Sequence, residues 1–303
     1  MASSWLALLT VWIMWGSTYL AIRLAVHTIP PLLMAGARFL IAGCVLALVL
    51  WIAQRERLTP VRWSDLRSVI TTAVLLLLIS NGSLSWGEQH VGSGLAALLV
   101  AGVPIWMLLI DGLFSKKIAP VALAGMIVGS AGLAILVGMP SGHVPLVTSV
   151  VLILGSICWS FGSVLARRGH GHRTHPLFPA LEMIVGGALL CIVAVLSGEL
   201  RGFAFSHVSV SSLGGFVWLV VMGSMVGYTA YAYAVRTLPT SVSSTYAYVN
   251  PIVAVALGAL ILHEQVTPNM LIGGAIIIGA VVIILLANKR KEEVGEQQLG
   301  DAA

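Results

Sequence analysis

Charge is what this sequence has least of. Of its 303 residues, 16 are Lys or Arg and 11 are Asp or Glu, only 9% of the chain, whereas 58% are hydrophobic. A soluble domain carries about 25% charged residues. So few charges cannot coat a water-exposed surface, which excludes a soluble globular fold. Cysteine is also scarce. Cys44, Cys158 and Cys191 are odd in number and lie inside apolar blocks, where they read as small packed hydrophobes. A disulfide framework is not expected. No Walker loop, dinucleotide fingerprint or HExxH appears, so the chain is read as a non-enzyme with no cofactor. His170, His172 and His175 cluster with Arg residues, but no Cys or acid completes a metal set, and they read as a solvated basic loop. The first apolar block lacks a basic leader and exceeds a signal-peptide core of about 7–15 residues, so it reads as a retained span.

What is present is a series of long apolar blocks. Spanning a bilayer takes about 20 apolar residues per helix, because hydrocarbon satisfies no bare backbone. Ten blocks meet this requirement: residues 5–26, 31–53, 66–86, 92–114 and 118–137, then 146–166, 177–197, 213–235, 241–262 and 266–287. The basic residues sort to one side. Arg55, Arg57, Arg62, Arg67, Lys116, Lys117, Arg167, Arg168, Arg173, Arg236, Lys289, Arg290 and Lys291 fall in alternate links and the tail, against Arg23 and Arg201 opposite. This bias places both termini in the cytoplasm and accounts for the basic excess without nucleic acid. The tail, 289–303, is charged and Gln/Glu-rich and is expected to be disordered.

The second half repeats the punctuation of the first at an offset near 147. Trp15-Gly16-Ser17 falls on Phe161-Gly162-Ser163, Pro104 on Pro251, Ser93 on Thr240, Trp86 on Tyr233, and Gly125 near Gly274. Five spans is an odd number, so the second copy must enter the membrane from the other side, and the phase of the basic links is opposite in the two halves. The expected fold is therefore an all-α membrane protein of ten transmembrane helices in two inverted five-helix repeats, 1–142 and 143–288. Such repeats place a substrate site near the midplane between the halves.

Trp15-Gly16-Ser17-Thr18-Tyr19, residues 31–39 (PLLMAGARF), 156–163 (SICWSFGS) and 244–251 (STYAYVNP), and His263-Glu264 before Gly273-Gly274 together resemble the bacterial drug/metabolite transporter superfamily. The likeness is closest to its ten-span EamA-type inner-membrane transporters and covers essentially the whole chain. It implies export of small metabolites, amino acids or toxic amphiphiles across the bacterial inner membrane. One departure is Ser115, which stands where the repeat would place the counterpart of Glu264.

Polar groups facing lipid are costly, so mid-span polar residues should face an interior or a cavity. Helical spacing puts Trp12, Trp15 and Tyr19 on one face. The same test groups Asn81, Ser85 and Glu88, then Ser156, Ser160 and Ser163 beside Trp159, then Ser224, Tyr228 and Tyr231, and Ser243, Tyr246 and Asn250. Gly102 and Trp106 make a poorer face in the fourth span. The candidate substrate-binding residues are Trp15, Ser17, Tyr19, Asn81, Trp106, Trp159, Ser163, Tyr228, Tyr246 and Asn250. The fifth and tenth spans carry glycines in place of polar residues and read as packing scaffold.

Four residues are candidates for gating or coupling. Arg38 either attracts an anionic substrate group or snorkels toward the outer headgroups. Glu182 either carries a coupling proton or is an interfacial acid near Arg167 and Arg168. Asp111 reads as an interfacial acid near Lys116 and Lys117, and Glu88 and Glu264 as outer-face acids that help close that side. Pro104 and Pro251 are hinges or static kinks. The expected function is a secondary transporter working by alternating access, as a monomer in membrane lipid, on a small-molecule substrate. The alternatives, an intramembrane lipid-modifying enzyme or a channel, lack respectively a catalytic cluster and a charged pore face.

Overall fold

The computed structural model describes residues 2–54, 61, 63–87, 90–91, 96, 99–100, 102–115, 120–138, 146–168, 175–262 and 265–300. Glu88, Ser93, Lys116, Lys117, His170, His172, Arg173, Glu264, Arg55, Arg57 and Arg62 lie outside the described residues. All regular structure among the described residues is helical. The helices are α1 (Ala2–Ala25), α2 (Pro31–Gln54), α3 (Asp65–Gly87), α4 (Val103–Ser115), α5 (Pro120–Val137), α6 (Leu146–Arg168), α7 (Phe178–Leu196), α8 (Val210–Thr237), α9 (Tyr246–Leu262) and α10 (Pro268–Gly300). Eight of these, all but α4 and α9, are long and apolar enough to cross a membrane.

The molecule is apolar outside. Leu48, Ile52, Leu113, Leu196 and Leu286 are exposed, whereas Arg38, Ser160, Glu182 and Ser224 are buried. Hydrocarbon is the solvent that favours this arrangement. With lipid as apolar as Leu, helix association rests on close packing and interhelical hydrogen bonds, and small residues let backbones meet. Two pairs pack most extensively, α2 with α7 and α5 with α10. A Cβ at Gly187 would lie 2.8 Å from the Gly36 carbonyl oxygen, and one at Gly273 2.6 Å from that of Gly132. The glycine-rich fifth and tenth helices thus pack on each other. Gly274 and Gly279 have open space around them, so the α10 contact runs through Gly273. Around these pairs, α1 packs on α8 and α9, and α6 packs on α3 and α4.

Three features depart from straight α-helical spans. Within α3, Ala73–Asn81 is π-helical, and within α8, Leu219–Tyr228 is too. Such wide turns are rare and usually single, and they concentrate at functional sites. They end at Asn81 and Tyr228, an offset of 147, equal to that between Pro104 and Pro251. The ninth span, expected over 241–262, is broken: one turn, Thr240–Ser243, precedes the continuous helix α9. Hydroxyls cause the break. Ser244 Oγ donates to the Ser241 carbonyl (3.2 Å) and Thr245 Oγ1 to that of Val242 (2.7 Å), competing with the helical ladder. The fourth span is described as a continuous helix only from Val103, after a turn at Gly102. Leu99 and Val100 are helical too, so Pro104 sits in the first turn after an interruption of the span, where proline is tolerated. Pro251 does lie inside α9. The last helix runs to Gly300, so 289–300 is helical where disorder was expected; Lys, Glu and Gln extend a helix that α10 has already nucleated.

Gly187→Leu should lower the unfolding free energy by about 1–3 kcal/mol, because its side chain must displace α2 backbone. Gly274→Leu should stay within about 0.5 kcal/mol of wild type. Thermal unfolding in detergent distinguishes the two.

Candidate substrate cavity

Arg167, Arg168 and Arg236 close α6 and α8 at one end of the bundle, called here the basic end. A cavity of about 150 Å³ lies between mid-bundle and the opposite end. At about 10–15 Å³ per water-sized centre, it holds a solute of roughly ten heavy atoms. From α1 it receives Trp15, Thr18, Tyr19 and Ile22, and from α6 Leu152, Gly155, Ser156 and Trp159. From α2 come Arg38 and Phe39, from α3 Ser80, Asn81 and Leu84, and from the fourth span Val100 and Val103. Gly223 and Tyr228 of α8 and Tyr246, Ala247 and Asn250 of α9 complete the wall.

Seven of the ten candidate binding residues line it: Trp15, Tyr19, Asn81, Trp159, Tyr228, Tyr246 and Asn250. Three do not. Ser17 faces away from the cavity, where its hydroxyl donates to the Met14 carbonyl (2.6 Å) and accepts from Trp218 Nε1 (3.0 Å). Ser163 is one turn too deep, bonded to the Trp159 carbonyl (2.6 Å) and to the Tyr231 hydroxyl. Trp106 folds back along α4, its Nε1 lying 2.7 Å from where a Cβ on Gly102 would stand. Sequence reading missed Thr18 and Ser80, which stand one residue off the faces that were grouped, and the apolar and glycine positions. The apolar and glycine positions are indistinguishable from lipid-facing ones by type, although Gly155 and Gly223 each flank a polar face that was legible.

The motif residues act as spacers and anchors. Gly16 admits α9, since a Cβ there would lie 3.1 Å from the Asn250 carbonyl oxygen. Trp15 Nε1 donates to the Gly223 carbonyl (3.0 Å), tying α1 to the π-helical part of α8. With its amide oriented to suit its neighbours, Asn250 donates to the carbonyls of Tyr246 (3.0 Å) and Trp12 (3.3 Å). Pro251, next in sequence, cannot bond back to Ala247, a cavity residue.

Below the cavity the rings of Trp15, Trp159, Tyr231 and Tyr246 form one layer. Trp15 lies 4.8 Å from Tyr231, 5.2 Å from Tyr246 and 5.6 Å from Trp159, centre to centre. These are the offset and edge-on distances at which aromatic rings attract. Next toward the basic end come polar contacts. Asp111 pairs with Arg168 (2.6 Å) and accepts from Thr240 Oγ1 (3.0 Å), and Arg167 bonds the Leu238 carbonyl. Asp111 therefore takes a partner from α6, because α4 packs along α6.

Arg38 is 7% exposed and lines the cavity, so it does not snorkel to headgroups. Its Nη2 donates to Asn81 Oδ1 (3.1 Å), and its guanidinium lies 4.3 Å from the Phe39 ring centre. Among the described lining residues it is the one that carries charge. Glu182, 2% exposed, lies outside the lining but touches it. It accepts from the Tyr228 hydroxyl (2.9 Å) and from Thr72 Oγ1 (2.8 Å), and its cation is Arg236 at 3.4 Å, not Arg167 or Arg168. That pairing was hidden because Arg236 follows Glu182 by a whole span. His175 stacks on Phe178, and among the described residues no His, Cys, Asp and Glu gather in a metal-holding group.

An apolar-coated helical bundle with an internal cavity shared by its two halves defines a polytopic membrane protein. The chain belongs to the EamA-like transporter family, whose description matches residues 2–138 and 147–286, and it is a membrane transporter of that family. It is 35% identical over 293 residues to the uncharacterized inner membrane transporter YedA of Escherichia coli K12, covering 92% of this chain and 90% of YedA. A probable terminal-alkyne amino-acid exporter of Streptantibioticus cattleyicolor is 26% identical over 293 residues, 94% of this chain and 93% of that protein. One solved crystal structure superposes with a TM-score of 0.79 at 18% identity, covering 95% of this chain and 99% of the other, which shows the shared fold.

Trp15→Phe keeps the ring and removes the bond to Gly223. It should cost about 0.6–2 kcal/mol of stability, the range for one interhelical hydrogen bond in a membrane protein. Ser17→Ala, whose partner Trp218 is exposed, should cost less. Unfolding of the two variants in detergent gives the comparison.

Proposed function

We propose that the chain is a secondary transporter that carries small zwitterionic or carboxylate-bearing solutes, amino acids foremost, by alternating access around this cavity. The observation that carries the reading is the wall itself. Both halves build it, aromatic rings cover one side, and Arg38, held by Asn81, brings a guanidinium into the wall. A carboxylate seats on a guanidinium more favourably than a plain cation does. Room for roughly ten heavy atoms suits an amino acid better than a large amphiphile. The relative named as a terminal-alkyne amino-acid exporter supports the same class, and export as the direction.

We take the halves as two inverted repeats of five spans, the arrangement an alternating mechanism uses. Exchange the halves, and the α1 contacts with α8 and α9 become those of α6 with α3 and α4. The pairs α2–α7 and α5–α10 map onto themselves, and the π-helical stretches map onto each other. The family matches fall one on each half. In this state the aromatic and ionic layers close the basic end, which the charge bias assigns to the cytoplasm. The break before Tyr246 and Pro251 within α9 supply the bending points, and Pro104 anchors the matching start of α4. One chain holds the whole cavity, so the working unit is a monomer in the inner membrane.

Counterflow in proteoliposomes tests this. Vesicles loaded with unlabelled neutral amino acids should take up labelled ones saturably. Trp159→Ala and Asn250→Ala should each lower that exchange at least about tenfold, equivalent to ~1.4 kcal/mol. Exchange of amphiphilic cations but of no amino acid would contradict the substrate class.

A further inference from the structure

Glu182 is buried beside the cavity wall, and its surroundings accommodate two protonation states. Thr72 Oγ1 lies 2.8 Å from Glu182 Oε1, and also 2.9 Å from the Ser68 carbonyl and 3.1 Å from that of Val69. A threonine hydroxyl has one proton and two lone pairs. When Glu182 is ionised, that proton points to the carboxylate. When Glu182 is protonated, its new O–H donates to Thr72, and Thr72 turns its own proton to the Ser68 carbonyl. Oε1 is bonded in both states, and Thr72 exchanges its two arrangements without moving a heavy atom. An acid built only for structure needs one set of partners, and this one has two.

The remaining neighbours complete the device. Tyr228, whose ring lines the cavity, donates its hydroxyl to Glu182 Oε2 (2.9 Å). Arg236 reaches Oε1 at 3.4 Å, a loose contact, with its guanidinium 5.6 Å from the Phe178 ring centre. Tyr231 of the same helix is engaged with Ser163. From α2 the charged residue is Arg38, held by Asn81. From α3, Asp65 and Arg67 lie within about two turns before Thr72, on the basic side. Arg236 is thus the cation that faces the carboxylate, and Tyr228 is the group that reports its state to the solute.

We propose that Glu182 is a proton-binding site that couples solute movement to a proton gradient through Tyr228; this rests on the transporter reading above. The proton comes from water and forms the O–H bond on Glu182, replacing the ion pair with Arg236. Tyr228 is then released from a carboxylate acceptor, and its hydroxyl can donate to a carboxylate in the cavity. Proton and solute therefore meet at one side chain. Tyr228 and Thr72 are positioning residues for Glu182.

Two measurements test this, one of which needs no solute. In infrared difference spectra of the purified full chain in lipid, raising the pH should remove a protonated-carboxyl band. That band should be absent in Glu182→Gln and shifted in Thr72→Val. In proteoliposomes, a gradient of one pH unit is worth about tenfold in accumulation for one-to-one coupling. Wild type should respond to it, Glu182→Asp should respond partly, and Glu182→Gln should not. A titrating band that survives in Glu182→Gln, or undiminished gradient-driven accumulation in that variant, overturns the proposal. Loss of counterflow in wild type would strike the transporter reading, while the infrared result would still decide whether Glu182 binds a proton.

Discussion

The backbone-to-backbone contact of α2 with α7 sets the rest of the structure. Lipid provides no hydrophobic drive for two apolar helices to meet, so they hold together only where they approach closely enough for dispersion to accumulate. Gly36 and Gly187 permit that approach. Glu182 lies just over a turn before Gly187, so the same contact fixes how deeply the carboxylate sits. It also fixes which face of α7 meets Thr72 and Tyr228. On the other side of α2, Arg38 is carried to the cavity wall. One pairing of small residues thus places both charges that matter to the interior. The α5–α10 pair repeats the device at the far side of the bundle and leaves α1, α3, α4, α6, α8 and α9 to shape the cavity together with Arg38 and Phe39 of α2.

Those six helices divide the labour by depth. Nearest the cavity are their hydroxyls and amides, with Arg38 reaching in from α2. Beneath them lies the ring layer of Trp15, Trp159, Tyr231 and Tyr246, and below that the contacts of Asp111, Arg168 and Thr240. The ion pair of Asp111 with Arg168 is partly exposed, 21% and 34%, so it contributes at most about 1 kcal/mol. A seal that weak can open within a transport cycle. The aromatic layer is the heavier part, and each of its rings belongs to a helix with a bend, a break or a close partner nearby.

Much of this was legible in the sequence because membranes restrict what a polar residue can do. Trp15, Tyr19, Trp159, Tyr228, Tyr246 and Asn250 were found by helical spacing alone, since hydrocarbon penalises any outward placement of such faces. The scaffold role of the fifth and tenth spans was equally legible in their glycines. Partners distant in sequence were not. Nothing in the spacing of Glu182 points to Arg236, or of Arg38 to Asn81, because those pairs exist only once α7 meets α8 and α2 meets α3. The π-helical segments have no residue signature that periodicity can read; Ala73–Asn81 is as apolar as the α-helical Val103–Ser115. The break before Tyr246 was written in Ser243-Ser244-Thr245, of which Ser243 was read as cavity-facing, and all three act on their own backbone.

The central claim is that the solute occupies the cavity between the halves. Thiol labelling at one lining position tests it most directly. Ser80→Cys, in a background where Cys44, Cys158 and Cys191 are replaced, puts a single thiol on the cavity wall beside Asn81. Labelling by a small water-soluble reagent should proceed in the absence of solute and slow as a transported amino acid is added, saturating with the same concentration dependence as counterflow. Labelling that is indifferent to a solute the same vesicles demonstrably exchange would place the transport path elsewhere and contradict the account.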